Sequence, residues 1–247
     1  MSEIIYYDLK QATGPVPSMA TQVAGEIGRL IVSSAYAPGQ LVEDEVSLAE
    51  RYQVSRSVIR DAVKILVGKG LLEVRRGIGT RVRSRQSWGL LDDDVLAWAL
   101  SAPPDADMLR KLMDVRRIFE PKAARWAAEN ASTEARGDIE AAMCAMEAEQ
   151  GSVESFVGAD ARFHRSILRA TGNEFLMALE GVIYSTLLSS IRLTNADPRD
   201  NSTSVPFHRE VCDAIIAADG RQAEYLMEQL LLDAGKRLDE RVSLNKN

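Results

Sequence analysis

The sequence predicts a mainly α-helical protein in two parts, an N-terminal winged helix-turn-helix and a C-terminal all-α helical bundle. Three observations carry this reading. The first 85 residues run helix, helix, turn, helix and then a short hairpin. Beyond residue 85, apolar residues recur at helical spacing, and no stretch alternates with the period of two that a half-buried strand requires. The charge divides along the same line. Residues 1–85 carry 12 Lys/Arg and 9 Asp/Glu and the remainder 18 and 27, so a net charge of −6 conceals a basic piece joined to an acidic one.

Taken in order, residues 1–18 form a loose arm in which Gly14, Pro15 and Pro17 argue against a helix. In MATQVAGEIGRLIVSSAY, the residues Val23, Ile27, Ile31 and Val32 share a helical face, and APGQLV then breaks the pattern. EDEVSLAERYQV is a short amphipathic helix whose first turn is acidic, where negative charge suits the helix dipole. Ser55 or Ser57 caps a third helix, in which Val58, Ile59, Ala62, Val63, Leu66 and Val67 keep a 3.6-residue period, and Gly68 and Gly70 end it. LLEVRRGIGTRVRS reads as two strands joined by a turn from Arg75 to Gly79. Residues 19–85 therefore form one domain, 86–103 a linking helical region and 104–242 a helical domain. Pro103–Pro104 breaks the chain between the last two, and further helices follow at about 133–149, 152–171, 173–194, 204–218 and 220–242. NADPRDNSTSVP, residues 195–206, is the most loop-like stretch of the helical domain.

The bulk numbers exclude several classes. A composition 46% hydrophobic and 27% charged is that of an ordinary soluble globular protein. No apolar run approaches the ~18 residues that span a bilayer, so no membrane partner is expected. The N-terminus lacks a basic segment followed by an apolar one, and Cys144 and Cys212 stand far apart without metal-site spacing. A cytoplasmic protein with two reduced thiols follows. No nucleophile elbow, phosphate loop or HExxH segment points to an enzyme.

From Arg51 to Arg85, ten Lys/Arg stand against two acidic residues, Asp61 and Glu73. The helix after the turn carries Ser55, Arg56, Ser57 and Arg60 on or around its first turn, and the hairpin adds Arg75, Arg76, Arg81 and Arg83. A basic helix of this kind lies in a major groove with its first turn toward the base edges, and the hairpin's arginines meet phosphates. Double-stranded DNA is the expected partner of this segment.

At PGQLVEDEVSLAERYQVSRSVIRDAVKILVGKGLLEVRRGIGTRV the chain resembles the winged helix of the GntR superfamily of bacterial transcription regulators. DVRRIFEPKAARWAA, DARFH…ATGN and FHREVCDAIIAADGRQAEYLM resemble the FadR-like branch, which carries an all-helical FCD effector domain. WGLLDDDVLAWAL with VRRIFEPKAARWAAE is similar to the galactonate-operon repressor group within that branch. The resemblance implies a homodimer on a palindromic operator, and a repressor whose grip changes when a small hydroxylated carboxylic acid, a sugar acid such as galactonate, enters the helical domain. It also implies DNA contact by Ser55, Arg56, Ser57 and Arg60, with the wing-tip Gly77 in the minor groove. Members with a DNA-contacting Arg on the second helix have it where this chain has Val46, so a different operator sequence is expected.

Asp160 and His164 lie four residues apart, about 40° around a helix, and can face one interior space as two ligands for a divalent cation. The resemblance adds His208 as a third ligand of a metal of the Zn, Ni or Mn kind. The family's fourth ligand, a histidine, falls at Leu230, which cannot ligate, so at most three protein ligands are expected. The same resemblance selects Arg116 over its neighbour Arg117 to hold an effector carboxylate, a task suited to a guanidinium fork. Arg192, Thr194 and Asn195, near the end of a cavity-lining helix, are expected to bind hydroxyl groups. Two alternatives stay open at this point. One is a metal-free regulator of the acyl-CoA type, and the other is a non-haem metalloenzyme, because two histidines and a carboxylate with open positions also describe such a site.

Overall fold

A computed structural model describes residues 17–101, 106–149, 151–181, 183 and 201–244. The chain divides into two compact units, residues 1–103 and 104–247. The arm expected over residues 1–18 lies almost wholly outside the described residues, as does the break at Pro103–Pro104.

In the first unit, α1 (Met19–Val32), α2 (Glu45–Tyr52) and α3 (Arg56–Gly68) precede β1 (Leu72–Arg75) and β2 (Gly79–Val82). Each helix starts at a side chain that satisfies free backbone N–H groups: Ser18 for α1, Asp44 for α2 and Ser55 for α3. Of the two serines able to cap α3, Ser55 does so. The strands pair antiparallel, Leu72 opposite Val82 and Arg75 opposite Gly79. At the hairpin tip the Ile78 N–H donates to the Arg75 carbonyl, and Gly77 takes φ +77°, a conformation that a side chain at that point would oppose. The segment expected only to interrupt the helices does more. Val42 donates to the Thr80 carbonyl and Val82 to that of Gln40, so residues 39–42 add a short third edge to the wing. One apolar core joins Ile27 and Ile31 of α1, Leu48 of α2, Ile59 and Leu66 of α3, and Leu72 and Val82 of the wing.

The expected linking region also belongs to this core. A helix, α4 (Asp93–Ser101), packs on α1 through buried Trp98, and a Cβ on Gly28 would lie 2.4 Å from two ring carbons of that indole. Lys69, just past the end of α3, reaches Asp92 at 2.6 Å and Asp94 at 2.9 Å. Its burial opposes the charged ammonium, but the two carboxylates outweigh burial and raise its pKa.

The second unit contains α5 (Ala106–Asn130), α6 (Thr133–Ala148), α7 (Val153–Ala170), the single turn α8 (Glu174–Met177), α9 (Asn201–Ile216) and α10 (Gly220–Leu244). Two arginines lock these helices together. Arg136 of α6 donates to the carbonyls of Ile215 and Ile216 at the end of α9 and to that of Ala128 near the end of α5. Arg209 of α9 reaches Glu140 and Glu147 of α6 at 2.8 and 2.9 Å. The loop expected over residues 195–206 needs correction where it is described, because α9 begins at Asn201 and carries Pro206 inside it. Proline is costly deep in a helix, but near the start it forfeits a single backbone bond. Burial of Ser204, Val205 and His208 outweighs the poor helix propensity of NSTSVP. The helix expected at 173–194 is described only in its first turns. Among the described residues no helix is long and apolar enough to cross a membrane.

Gly28→Ala should lower the stability of the first unit by about 1–3 kcal/mol, the usual cost of overpacking. Thermal and urea unfolding would measure it. In a Trp98→Ala background the same substitution should cost almost nothing, because the ring it strikes is gone.

Candidate functional site

The exposed edge of the first unit carries the residues singled out for DNA. Ser55, Arg56, Ser57 and Arg60 are all exposed, while Ile59, Ala62 and Leu66 on the other face of α3 are buried. Ser55 Oγ lies 2.8 Å from Ser57 Oγ, and Arg60 Nε donates to Glu45 of α2 at 2.8 Å. On the wing, Arg75, Arg76 and Gly77 are exposed, and Arg75 is paired with Glu73 at 2.9 Å. Arg81 and Arg83 are half-buried, so the hairpin's outward charge comes mainly from its tip. Val46 is exposed beside Glu45.

The second unit holds a cluster of charges in its interior. Three helices each contribute a pair one turn apart: Arg116 and Glu120 from α5, Asp160 and His164 from α7, Ser204 and His208 from α9. All six are buried. The arrangement closes on itself at the periphery. Arg116 donates to the Glu120 carboxylate, and His164 Nδ1 lies 2.5 Å from Glu120 Oε2. His208 Nδ1 lies 2.8 Å from the Ser204 carbonyl oxygen, which can only accept, so this nitrogen carries the proton. Phe163 packs edge-on against both imidazoles, with ring centres 5.6 and 5.4 Å away.

At its centre the cluster is not closed. Asp160 Oδ1 lies 3.1 Å from His208 Nε2 and 3.3 Å from His164 Nε2, and the two Nε2 atoms lie 3.3 Å apart. Yet neither approach to the carboxylate has hydrogen-bond geometry, and Asp160 Oδ1 is a buried oxygen without a hydrogen-bond partner. With the Nδ1 protons given to Glu120 and Ser204, the two Nε2 atoms and the carboxylate oxygen are left as donor atoms within 3.3 Å of one another, and Arg116 Nη2 stands 3.4 Å from His164 Nε2. That is the donor set of a divalent cation, with Glu120 and the Ser204 carbonyl orienting the rings from behind. Ligands held at ~2.1 Å from one ion stand roughly 3.0–3.4 Å from one another, so the three residues fit such an ion without rearrangement. Among the described residues this is the one His/Cys/Asp/Glu cluster of metal-binding spacing.

The electrostatics agree. Burial would raise the Glu120 pKa, but Arg116 and His164 outweigh it and hold the carboxyl down to about 2. Burial likewise opposes the Asp160 carboxylate, and the imidazoles of His208 and His164 keep it far below the usual carboxylate range. For His164, burial disfavours the imidazolium and Glu120 favours it, with a net upward shift. A proton on His164 and a metal ion at Nε2 are thus two ways of supplying the positive charge that this interior lacks.

Sequence reasoning brought Asp160, His164, His208 and Arg116 to this unit, and the structure gathers all four. Arg116 is 1% exposed, whereas Arg117 faces outward. Sequence reasoning missed Glu120. The signal was available, since a glutamate four residues after an arginine shares its helix face. Leu230 is buried in α10. Arg192, Thr194 and Asn195 lie outside the described residues. A groove of about 440 Å³ lies elsewhere, between α6 and α7, lined by Arg162, Arg165 and Arg169 with Ala141 and Ala145 among its small residues.

A basic winged helix joined to a helical unit with a buried ligand cluster defines a ligand-responsive transcription regulator. Comparison with known proteins agrees with that class. Residues 19–82 match the gntR family of bacterial regulatory proteins and residues 111–233 the FCD domain. The chain is 33% identical over 216 residues to the galactonate operon transcriptional repressor of Escherichia coli K12, covering 87% of this chain and 94% of that one. It is 32% identical over 207 residues to the regulator LutR of Bacillus subtilis, covering 80% and 91%. It is 29% identical over 237 residues to the Uxu operon transcriptional regulator of Escherichia coli K12, covering 89% and 86%. A solved Listeria monocytogenes regulator, Lar, shares the fold at TM-score 0.66 and 16% identity, over 92% of this chain and 99% of that one. The chain belongs to the GntR family, in the branch with an FCD domain, and is a DNA-binding transcription regulator rather than an enzyme.

Glu120→Ala should lower stability by about 3–5 kcal/mol, the cost of stranding a buried charge, here Arg116. Urea unfolding would read it. Replacing both members, as Arg116→Met with Glu120→Leu, should cost less than the single change. A single-variant loss below about 1 kcal/mol would show that the pair is hydrated rather than buried.

Proposed function

We propose that this protein is a transcriptional repressor whose hold on a palindromic operator is controlled by a small hydroxylated carboxylic acid of the sugar-acid type, bound in the helical unit at a divalent metal ion. The observation that carries the reading is Asp160 Oδ1, a buried carboxylate oxygen without a hydrogen-bond partner, facing two imidazole Nε2 atoms. Asp160, His164 and His208 hold the ion. When bound, it supplies a Lewis acid with open positions for carboxylate and hydroxyl oxygens. Arg116, one turn from Glu120 and beside His164, offers the remaining N–H donors of its guanidinium to the acid's carboxylate. Leu230 leaves one more ion position to the ligand or to water.

Two of the relatives lean the same way, being regulators of a galactonate operon and a Uxu operon. The exposed DNA face of α3 and the wing tip supply the operator contacts. Arg56 and Arg60 read base edges, while Arg75, Arg76 and Gly77 approach the backbone and minor groove. The protein acts in the cytoplasm as a homodimer. On α5, Val115, Ile118 and Trp126 fall on one exposed stripe opposite the buried face, and Ile118 is 75% exposed. That stripe is the face best suited to a second copy.

The test uses the full chain and a duplex that it selects from a random pool, followed by fluorescence anisotropy. Arg56→Ala should weaken binding to that duplex roughly 10- to 100-fold and leave the ligand response intact. His164→Ala should do the reverse, abolishing both the rise in Tm with added Zn, Ni or Mn and the release of DNA by aldonic acids. A Tm rise with acyl-CoA alone, indifferent to metal, would discard the sugar-acid reading. Separately, Ile118→Asp should shift sedimentation from dimer to monomer and remove the preference for a two-fold duplex over its half-site. Unchanged sedimentation would place the dimer interface elsewhere.

A further inference from the structure

An acidic side chain sits where the DNA-facing surface should be basic. Glu45, the first residue of α2, is half-buried with a solvent-accessible side chain, and accepts a hydrogen bond at 2.8 Å from Nε of Arg60 on α3. Its place is set by the start of its helix, where Asp44 caps α2 by accepting the N–H groups of Val46 and Ser47 at 3.0 and 2.8 Å. A carboxylate facing a polyanion repels it, and a solvated ion pair as exposed as this one adds little to stability. The dipole of α2 favours an acid in its first turn, but that accounts for the charge and not for its engagement of Arg60.

The atom that Glu45 engages supplies a reason for that engagement. Arg60 can present a planar edge in two ways, through Nη1 and Nη2 or through Nε and Nη2. With Nε committed to Glu45, the end-on edge is left, and that fork matches the O6 and N7 acceptors of guanine. The bond also holds a side chain with many rotamers away from the phosphates that would otherwise attract it, so less ordering remains when DNA arrives. We propose that Glu45 is a positioning residue that aims the Arg60 guanidinium at a guanine edge, trading overall affinity for discrimination. Glu45 itself does not read the base. The inference rests on the proposed docking of α3 in the major groove.

The two explanations of Glu45 differ in the sign of one measurement. The full-length protein, Glu45→Gln, Arg60→Ala and the double variant would be titrated against the selected duplex and a random-sequence duplex at one salt concentration. The pair is solvent-exposed, so Glu45→Gln is expected to fold normally, which its melting curve would verify. Glu45→Gln should weaken binding to the selected duplex about three- to tenfold, while binding to the random duplex holds or tightens. In the Arg60→Ala background it should cause no further loss on the selected duplex. If Glu45→Gln tightens binding to both duplexes alike, Glu45 is only a surface charge and the inference is wrong. A further loss in the Arg60→Ala background would mean that Glu45 contacts DNA itself, which also overturns it. If Arg60→Ala leaves selected-duplex binding intact, the docking of α3 fails first and takes this inference with it.

Discussion

Burying charge inside a helical bundle is expensive, and the second unit is arranged around doing so. Arg116, Glu120, Asp160, His164 and His208 are removed from water together, each less than a tenth exposed. An isolated ion in such a place would neutralise itself or drive the unit open. What permits the cluster is geometry. Residues four apart stack on one helix face, so α5, α7 and α9 each deliver two polar groups at one level, and the groups on one helix complete those on another. The locks made by Arg136 and Arg209 bear on the same requirement. They join α6 to the ends of α5 and α9, the helices that carry four of the six cluster residues, and so hold its parts in register.

The first unit solves a different problem, presenting charge to solvent rather than hiding it. Its core is apolar throughout, and its helix starts are capped by short polar side chains. The fold therefore spends no arginine of α3 on internal pairing except Arg60, whose partner, Glu45, stands at the start of α2. Lys69 stands at the far end of α3, tied to the α4 segment through Asp92 and Asp94. α3 is thereby held at both ends, by the Ser55 cap and by a half-buried ion pair beyond Gly68.

Much of this was legible in the sequence. The order of helices, the wing, the Gly77 tip and the choice of Arg116 over Arg117 as the inward residue all followed from spacing or from family resemblance, because amphipathic period and turn chemistry are local properties. What escaped is not local. The edge that residues 39–42 add to the wing depends on where β2 lies, and APGQLV carries no strand period of its own. The helical start of α9 through Pro206 depends on the burial of Ser204 and Val205, which outweighs a poor local propensity. Glu120 was within reach, but a Glu after an Arg on a helix reads as a solvated pair until the burial of both is seen.

The charge count of the cluster bears on what it can hold. Arg116 contributes one positive charge, and Glu120 and Asp160 contribute two negative. Counted with both imidazoles uncharged, the interior is left one charge negative. A proton on His164 cancels that deficit and closes the cluster with nothing bound. A divalent cation at the Nε2 atoms reverses it, leaving one charge positive. With such an ion the interior would lack one negative charge, which a monocarboxylic acid beside Arg116 would supply. A dianion or a polyphosphorylated thioester would overshoot and bring uncompensated charge into a dry site, at a cost far beyond what contacts to its tail return. On the proposed reading the cluster would select its ligand first by charge, for one carboxylate and no more. The hydroxyl pattern decides only among acids that already satisfy that condition.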